Sequence, residues 1–179
     1  EFVEVPAGDD VIVVPPLRTV APGATQLFRF QYIGEPLSVG QSYYVSIRQL
    51  PIKQEDGTAV QFLYNFRIVA NVFPPGGQVA LTATSASVGR GKDGKPAVDF
   101  TVQNGGTQQA MLQDIGIRFL MRDGAGSTTW QQEMLPADIA SSIGVGLILP
   151  GTQRRFSAPV SPPAGGGTLS VEFFNAPAP

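Results

Sequence analysis

Apolar side chains recur at every second position from Val60 through Phe62, Tyr64 and Phe66 to Ile68, the period of a strand whose residues alternate between two faces. Gln61, Leu63, Asn65 and Arg67 fall on the opposite face. A second strand-like run, 43–48, precedes this row and ends in Leu50-Pro51. The polar stretch 53–58 between them contains Asp56-Gly57, a turn signal, so the pattern predicts a hairpin with 43–48 antiparallel to 60–72. Its second arm is long for an ordinary strand. It stops at Pro74-Pro75-Gly76-Gly77, where proline removes ladder donors and fixes φ, and this marks a domain boundary between 1–75 and 76–179. The apolar row covers either the protein's own core, the usual use of such a strand, or the core of a partner.

The rest of the chain reads in the same way. Upstream, turn signals at Pro15-Pro16 and Ala21-Pro22-Gly23 separate the runs 11–14 and 26–32, the latter with Phe28, Phe30 and Tyr32 on one face. Downstream, 79–83 and a charged loop at 89–95 lead to Val98, Phe100 and Val102, which alternate with Asp99, Thr101 and Gln103. Asn104-Gly105-Gly106 turns the chain, and Ile115, Ile117, Phe119 and Met121 form the next alternating run before Asp123-Gly124. Runs at 144–149, 154–158 and 169–174 follow, with room for one helical turn at 136–142. Short strands at this spacing predict an all-β chain of sandwich type.

Composition narrows the function classes. With 179 residues and 42% hydrophobic content, the chain can build real cores in one large or two ordinary domains. The 21 Gly and 16 Pro have no fixed period, as expected for many strands joined by turns. Charged residues make up only 15%, against roughly 25% in ordinary domains, so the surface keeps apolar area of the kind that meets partners. A net charge of −2 with dispersed basic residues argues against nucleic-acid binding. No run approaches the ~20 apolar residues of a membrane span, so membrane insertion is not expected. The absence of cysteine leaves the redox compartment open.

Catalysis has few candidates. With no histidine and no cysteine, every arrangement built on them is excluded. Asp9-Asp10 reads as a solvated turn, Asp114, Glu133 and Asp138 are dispersed without a glycosidase motif, and the glycines at 89–91 and 165–167 match no phosphate-cradling fingerprint. No catalytic residue, metal or organic cofactor is expected. Two arginines remain. Arg48 shares a predicted strand face with Tyr44 and Ser46, and Arg67 lies in the apolar row's own strand. Each is placed either to grip a carboxylate through paired hydrogen bonds or to reach into water. Trp130 is assigned to packing or to a partly exposed strand.

The order of several segments carries a family resemblance: Val13-Val14-Pro15-Pro16-Leu17-Arg18, Ala21-Pro22-Gly23, Tyr44-Val45-Ser46-Ile47-Arg48-Gln49-Leu50-Pro51, and then 60–74. This resembles the periplasmic pilus chaperones of the chaperone–usher pathway, closest to the branch associated with spore-coat-U-type, or archaic, pilins. Pro150-Gly151-Thr152 and 169–175 extend the likeness into the second domain, where its motifs are weaker. The resemblance implies two immunoglobulin-like sandwiches, the last strand of the first being lent to an incomplete pilin subunit that is then delivered to an outer-membrane usher. A lent strand covers the client's open sheet edge while its alternate side chains fill the client's groove. By position, the donor residues are Val60, Phe62, Tyr64 and Phe66.

Two departures from the family pattern follow. Members anchor the client's terminal carboxylate with a donor-strand lysine, where this chain has Val69, so the anchor candidates are Arg48 first and Arg67 second. The first sandwich, as the family builds it, also needs strands N-terminal to the segments matched here. Either upstream sequence or another segment is expected to complete it. The alternative readings are a structural pilus or adhesin protein that accepts a strand itself, and a β-sandwich enzyme acting on carbohydrate through the scattered carboxylates.

Overall fold

A computed structural model describes residues 4–51, 60–91, 93–165 and 167–176. The chain is mostly β, with 45% strand against 6% helix, in open sheets. It divides into two compact units, one of residues 1–37 and 42–72 and the other of 38–41 and 73–179. The expected turn at Asp56-Gly57 lies outside the described residues.

In the larger unit, alternation becomes burial. Strand β6 (Pro96–Asn104) sends Val98, Phe100 and Val102 inward and Thr101 and Gln103 outward. It lies between β5 (Leu81–Arg90) and β11 (Gln153–Ala158), antiparallel to both. A second antiparallel sheet has β8 (Gly116–Arg122) between β9 (Thr128–Met134) and β12 (Thr168–Phe174). The two meet where the rings of Phe100 and Phe119 contact edge to face, 5.6 Å apart and inclined by 83°, an arrangement favoured by the aromatic quadrupole. Ile117, Leu112, Ile139, Ile148, Phe156 and Val171 join the same cluster.

On the outer face of the second sheet, Arg118 pairs with Glu133 at 2.8 Å and Arg122 with Glu172 at 3.0 Å. Opposite charges across neighbouring strands favour this register. Gly116 lies opposite Phe174, whose ring covers it so closely that a Cβ would collide. A short pair, β7 (Ala110–Met111) with β10 (Leu147–Ile148), closes one end. The expected helical turn forms as helix α1 (Pro136–Ser142), with proline in the first turn, where its missing N–H costs nothing. Asp138 accepts a hydrogen bond from the Leu135 N–H at 3.4 Å.

Asn104 ties this unit together. Its side chain is fully buried, with Nδ2 donating to the carbonyls of Gln108 at 2.8 Å and Ile148 at 3.2 Å. Its Oδ1 accepts from the N–H groups of Gly106 at 3.0 Å and Ala80 at 3.3 Å. One amide thereby satisfies four backbone groups, two in the turn that follows it and two, Ala80 and Ile148, remote in sequence, as burial demands.

The smaller unit is built differently. Strand β1 (Val11–Val14) pairs antiparallel with β2 (Arg29–Tyr32), and β3 (Gln41–Arg48) pairs with β4 (Asn65–Val72), each couple forming a two-stranded sheet. Contacts of Ser42 with Asn71 and of Gln49 with Tyr64 show that β3 and β4 run in opposite directions, the expected hairpin sense. Ala70, 8% exposed, is the sole buried residue of this unit among those described. Two-stranded sheets are marginal by themselves.

Tyr43 supplies one of the few cross-links in this unit. Its ring lies 6.0 Å from that of Tyr32, and its hydroxyl donates to Asp10 at 3.4 Å. Burial, reinforced by the Asp10 carboxylate, raises its pKa above the ordinary phenol value. A raised phenol favours the folded state while neutral, so this stabilisation is intact below pH ~10 and lost as pH rises through the folded pKa. An alkaline absorbance titration of Tyr43→Phe should lack a phenolate step that in the parent lies above the ordinary phenol value. An unchanged upper limb would contradict this assignment.

Candidate partner-binding strand

Among the described residues, the apolar row covers no core. Val60 is 82% exposed, Phe62 77%, and Tyr64 and Phe66 61% each. Alternation in the sequence is therefore not matched by burial within the described residues. The strand also begins later than expected, at Asn65, so that 60–64 lies outside it. The reason lies in the partner strand: β3 ends at Arg48, and beyond it, among the described residues, Gln49 alone reaches across, its N–H donating to the Tyr64 carbonyl at 2.8 Å and its Oε1 accepting from the Tyr64 N–H at 3.4 Å.

Phe66 and Tyr64 stack, with centroids 6.0 Å apart and planes inclined by 10°. Two residues apart in extended chain, they share a side and screen part of each other from water. Leu63, Ile68 and Val69 are also exposed, so both faces of the segment carry apolar surface. A two-stranded sheet leaves β4 with β3 on one edge and no strand on the other among the described residues. Unpaired N–H and C=O groups on such an edge are a template for another strand.

The arginines differ sharply. Arg67 forms an ion pair with Glu4, and its guanidinium carbon lies 3.9 Å from the centroid of the Tyr44 ring. Arg48 is exposed and makes no ion pair or side-chain hydrogen bond among the described residues. The structure thus brings a carboxylate to Arg67, the second of the two sequence candidates, and none to Arg48. Neither Glu4 nor the aromatic backing from Tyr44 was singled out by sequence. Tyr44 and Arg67 each lie on a strand, but only the pairing of β3 with β4 reveals that they are diagonal neighbours.

The other carboxylates of interest have structural surroundings. Glu133 belongs to the Arg118 pair and Asp138 to the start of α1, while Asp114 borders a cavity of about 630 Å³ lined also by Leu81, Met111, Ile115, Phe173 and Asn175. Asp99 accepts from Arg155 at 2.7 Å, and hydrogen bonds from Ser157 and Arg155 hold its carboxyl below the ordinary range. Asp9-Asp10 falls in a turn, as expected. Comparison with protein-family models, curated proteins and solved structures found no match to this chain.

Proposed function

We propose that the chain is a non-catalytic periplasmic chaperone that captures incomplete pilin subunits by donating a strand and passes them to an outer-membrane usher. In this reading both units are immunoglobulin-like sandwiches, the first completed by further strands. The observation that carries it is the exposure of Val60, Phe62, Tyr64 and Phe66 beside an edge of β4 that pairs with no strand among the described residues. A pilin lacking its last strand offers the complement, an open sheet edge and an apolar groove. Addition of the strand leaves no step that requires ATP, metal or cofactor. Mixing the protein with a strand-deficient pilin should yield a soluble one-to-one complex by light scattering. Continued aggregation of the pilin with the chaperone left free would refute the proposal.

A second reading has its own support. The smaller unit has Ala70 as its single buried residue among those described, so it is itself suited to accept a strand, as a structural pilus or adhesin subunit would. Under that reading the protein assembles head to tail with copies of a like subunit, giving polymers where the chaperone gives a closed pair.

A further inference from the structure

Asn104 is followed by Gly105, the pairing of residues in which a side-chain amide is most open to attack by its own main chain. The Gly105 nitrogen loses its proton to hydroxide or buffer base and forms a bond to Cγ of Asn104, while Nδ2 takes up a proton and leaves as ammonia. A cyclic imide results. Water then opens it, giving aspartate where the bond from nitrogen to Cγ breaks and isoaspartate where the bond to the main-chain carbonyl carbon breaks. Glycine hinders this attack least, because it has no Cβ beside the nitrogen and more backbone freedom to reach the geometry. The other asparagines, Asn65, Asn71 and Asn175, precede Phe66, Val72 and Ala176.

In the folded chain both reacting groups are held. The Asn104 side chain is fully buried, and its leaving group, Nδ2, donates to the carbonyls of Gln108 and Ile148 while Oδ1 accepts from Gly106 and Ala80. Turning the amide breaks these bonds. The attacking nitrogen is engaged too, its N–H donating to the Ala80 carbonyl at 2.8 Å. The main chain of Asn104 is fixed on both sides, with its N–H donating to the Thr152 carbonyl at 3.0 Å and its carbonyl accepting from the Gly151 N–H at 2.8 Å. Gly105 itself is exposed, so the protection comes from these bonds more than from exclusion of water.

We propose that Asn104-Gly105 is a latent deamidation site, protected in the folded chain and reactive on unfolding, which makes unfolding of the larger unit irreversible with time. Neither product rebuilds the site. Aspartate sets a charged oxygen against the carbonyls of Gln108 and Ile148, to which the amide donated. Isoaspartate moves Cγ into the main chain and leaves a carboxylate where the carbonyl paired with Gly151. A chain modified while unfolded is thereby withdrawn from the folding equilibrium. This holds whichever partner the smaller unit meets.

The experiment incubates the whole chain at mildly alkaline pH, once folded and once in guanidinium chloride, with samples digested at acid pH for peptide mapping by mass spectrometry and chromatographic separation of the isoaspartyl form. In denaturant, loss of ammonia at Asn104 should outpace that at Asn65, Asn71 and Asn175. In the folded chain it should slow by about a thousandfold or more, the ratio of folded to unfolded chain in a domain of ordinary stability. Asn175, which is exposed, should react at nearly the same rate in both conditions. On dilution from denaturant, the fraction that refolds should fall in step with the fraction modified at Asn104. Gly105→Ala adds a control: a Cβ there meets nothing nearer than the Ala80 carbonyl oxygen at 3.9 Å, so the fold accepts it, and the methyl should slow the reaction in denaturant and preserve refolding for longer. Equal rates at Asn104 in folded and unfolded chain would overturn the protection, and a rate in denaturant no faster than at the other asparagines would overturn the site. Chains modified at Asn104 that refold with the parent's denaturant midpoint would overturn the irreversibility.

Discussion

Under the proposed strand donation, Phe66→Asp is expected to abolish pilin capture and leave the chain folded. The ring is 61% exposed and its one aromatic partner is Tyr64, so the folded chain loses little, within about 0.5–1 kcal/mol. In the complex the same ring would fill a groove. Burying it contributes about 1.5–3 kcal/mol, and a carboxylate in its place must also be desolvated without a partner. Affinity for a strand-deficient pilin should fall by about a hundredfold or more. Thermal unfolding followed by circular dichroism should move little, and Phe62→Asp should behave alike, since Phe62 is 77% exposed. The opposite pattern, an unfolded variant, would return the row to the protein's own core. A folded variant with parental pilin affinity would remove Phe66 from the donor strand.

Replacing Asn104 should have the largest effect on stability. Asn104→Leu is close in size and leaves no large cavity, but it removes the fully buried amide that pairs with the N–H groups of Ala80 and Gly106 and the carbonyls of Gln108 and Ile148, the last of these bonds being buried and the other three partly so. An unsatisfied buried group costs about 1–3 kcal/mol, a partly exposed one less, and such costs do not add fully, so a loss of about 2–4 kcal/mol is expected. For a unit of this size that lowers Tm by roughly 10 °C or more. Asn104→Asp separates hydrogen bonding from shape. Its carboxylate still accepts from the two N–H groups but faces two carbonyl oxygens to which the amide formerly donated. It should be markedly destabilised at pH 7 and partly recover at acid pH as the carboxyl protonates and regains a donor. Denaturant titrations at both pH values measure this. An Asn104→Leu midpoint close to the parent would show that water or a shifted loop satisfies the same groups.

Legibility from sequence tracked the extent to which a segment's environment is set by its own pattern. Val98, Phe100 and Val102 alternate cleanly, and β6 is a central strand whose inward face is buried as that pattern requires. Proline at the start of 136–142 announces the helix formed there. Strand β9 was visible only as a provisional place for Trp130, because Thr128–Met134 is rich in polar residues. Its position depends on pairing with β8, whose Arg118 meets Glu133 across the sheet. Asn104-Gly105-Gly106 reads as a turn; Asn104 is instead the last residue of β6, and the chain bends from Gly106 onward. That its asparagine also binds Ala80 and Ile148 was not readable, since neither is near it in sequence.

By itself the sequence determined the strand-dominated class, most strand positions in the larger unit, and the existence of an apolar row from Val60 to Ile68, because period-two patterning is a local property of the chain. It also supplied Arg48 and Arg67 as cations on strand faces. Tertiary structure alone decided that the row lies exposed, that β4 starts at Asn65, and that Arg67 holds the carboxylate of Glu4 against Tyr44. Periodicity states which side chains share a face. What covers that face, and which cation meets which carboxylate, depends on pairing between residues far apart in sequence, where register and chain ends set the contacts.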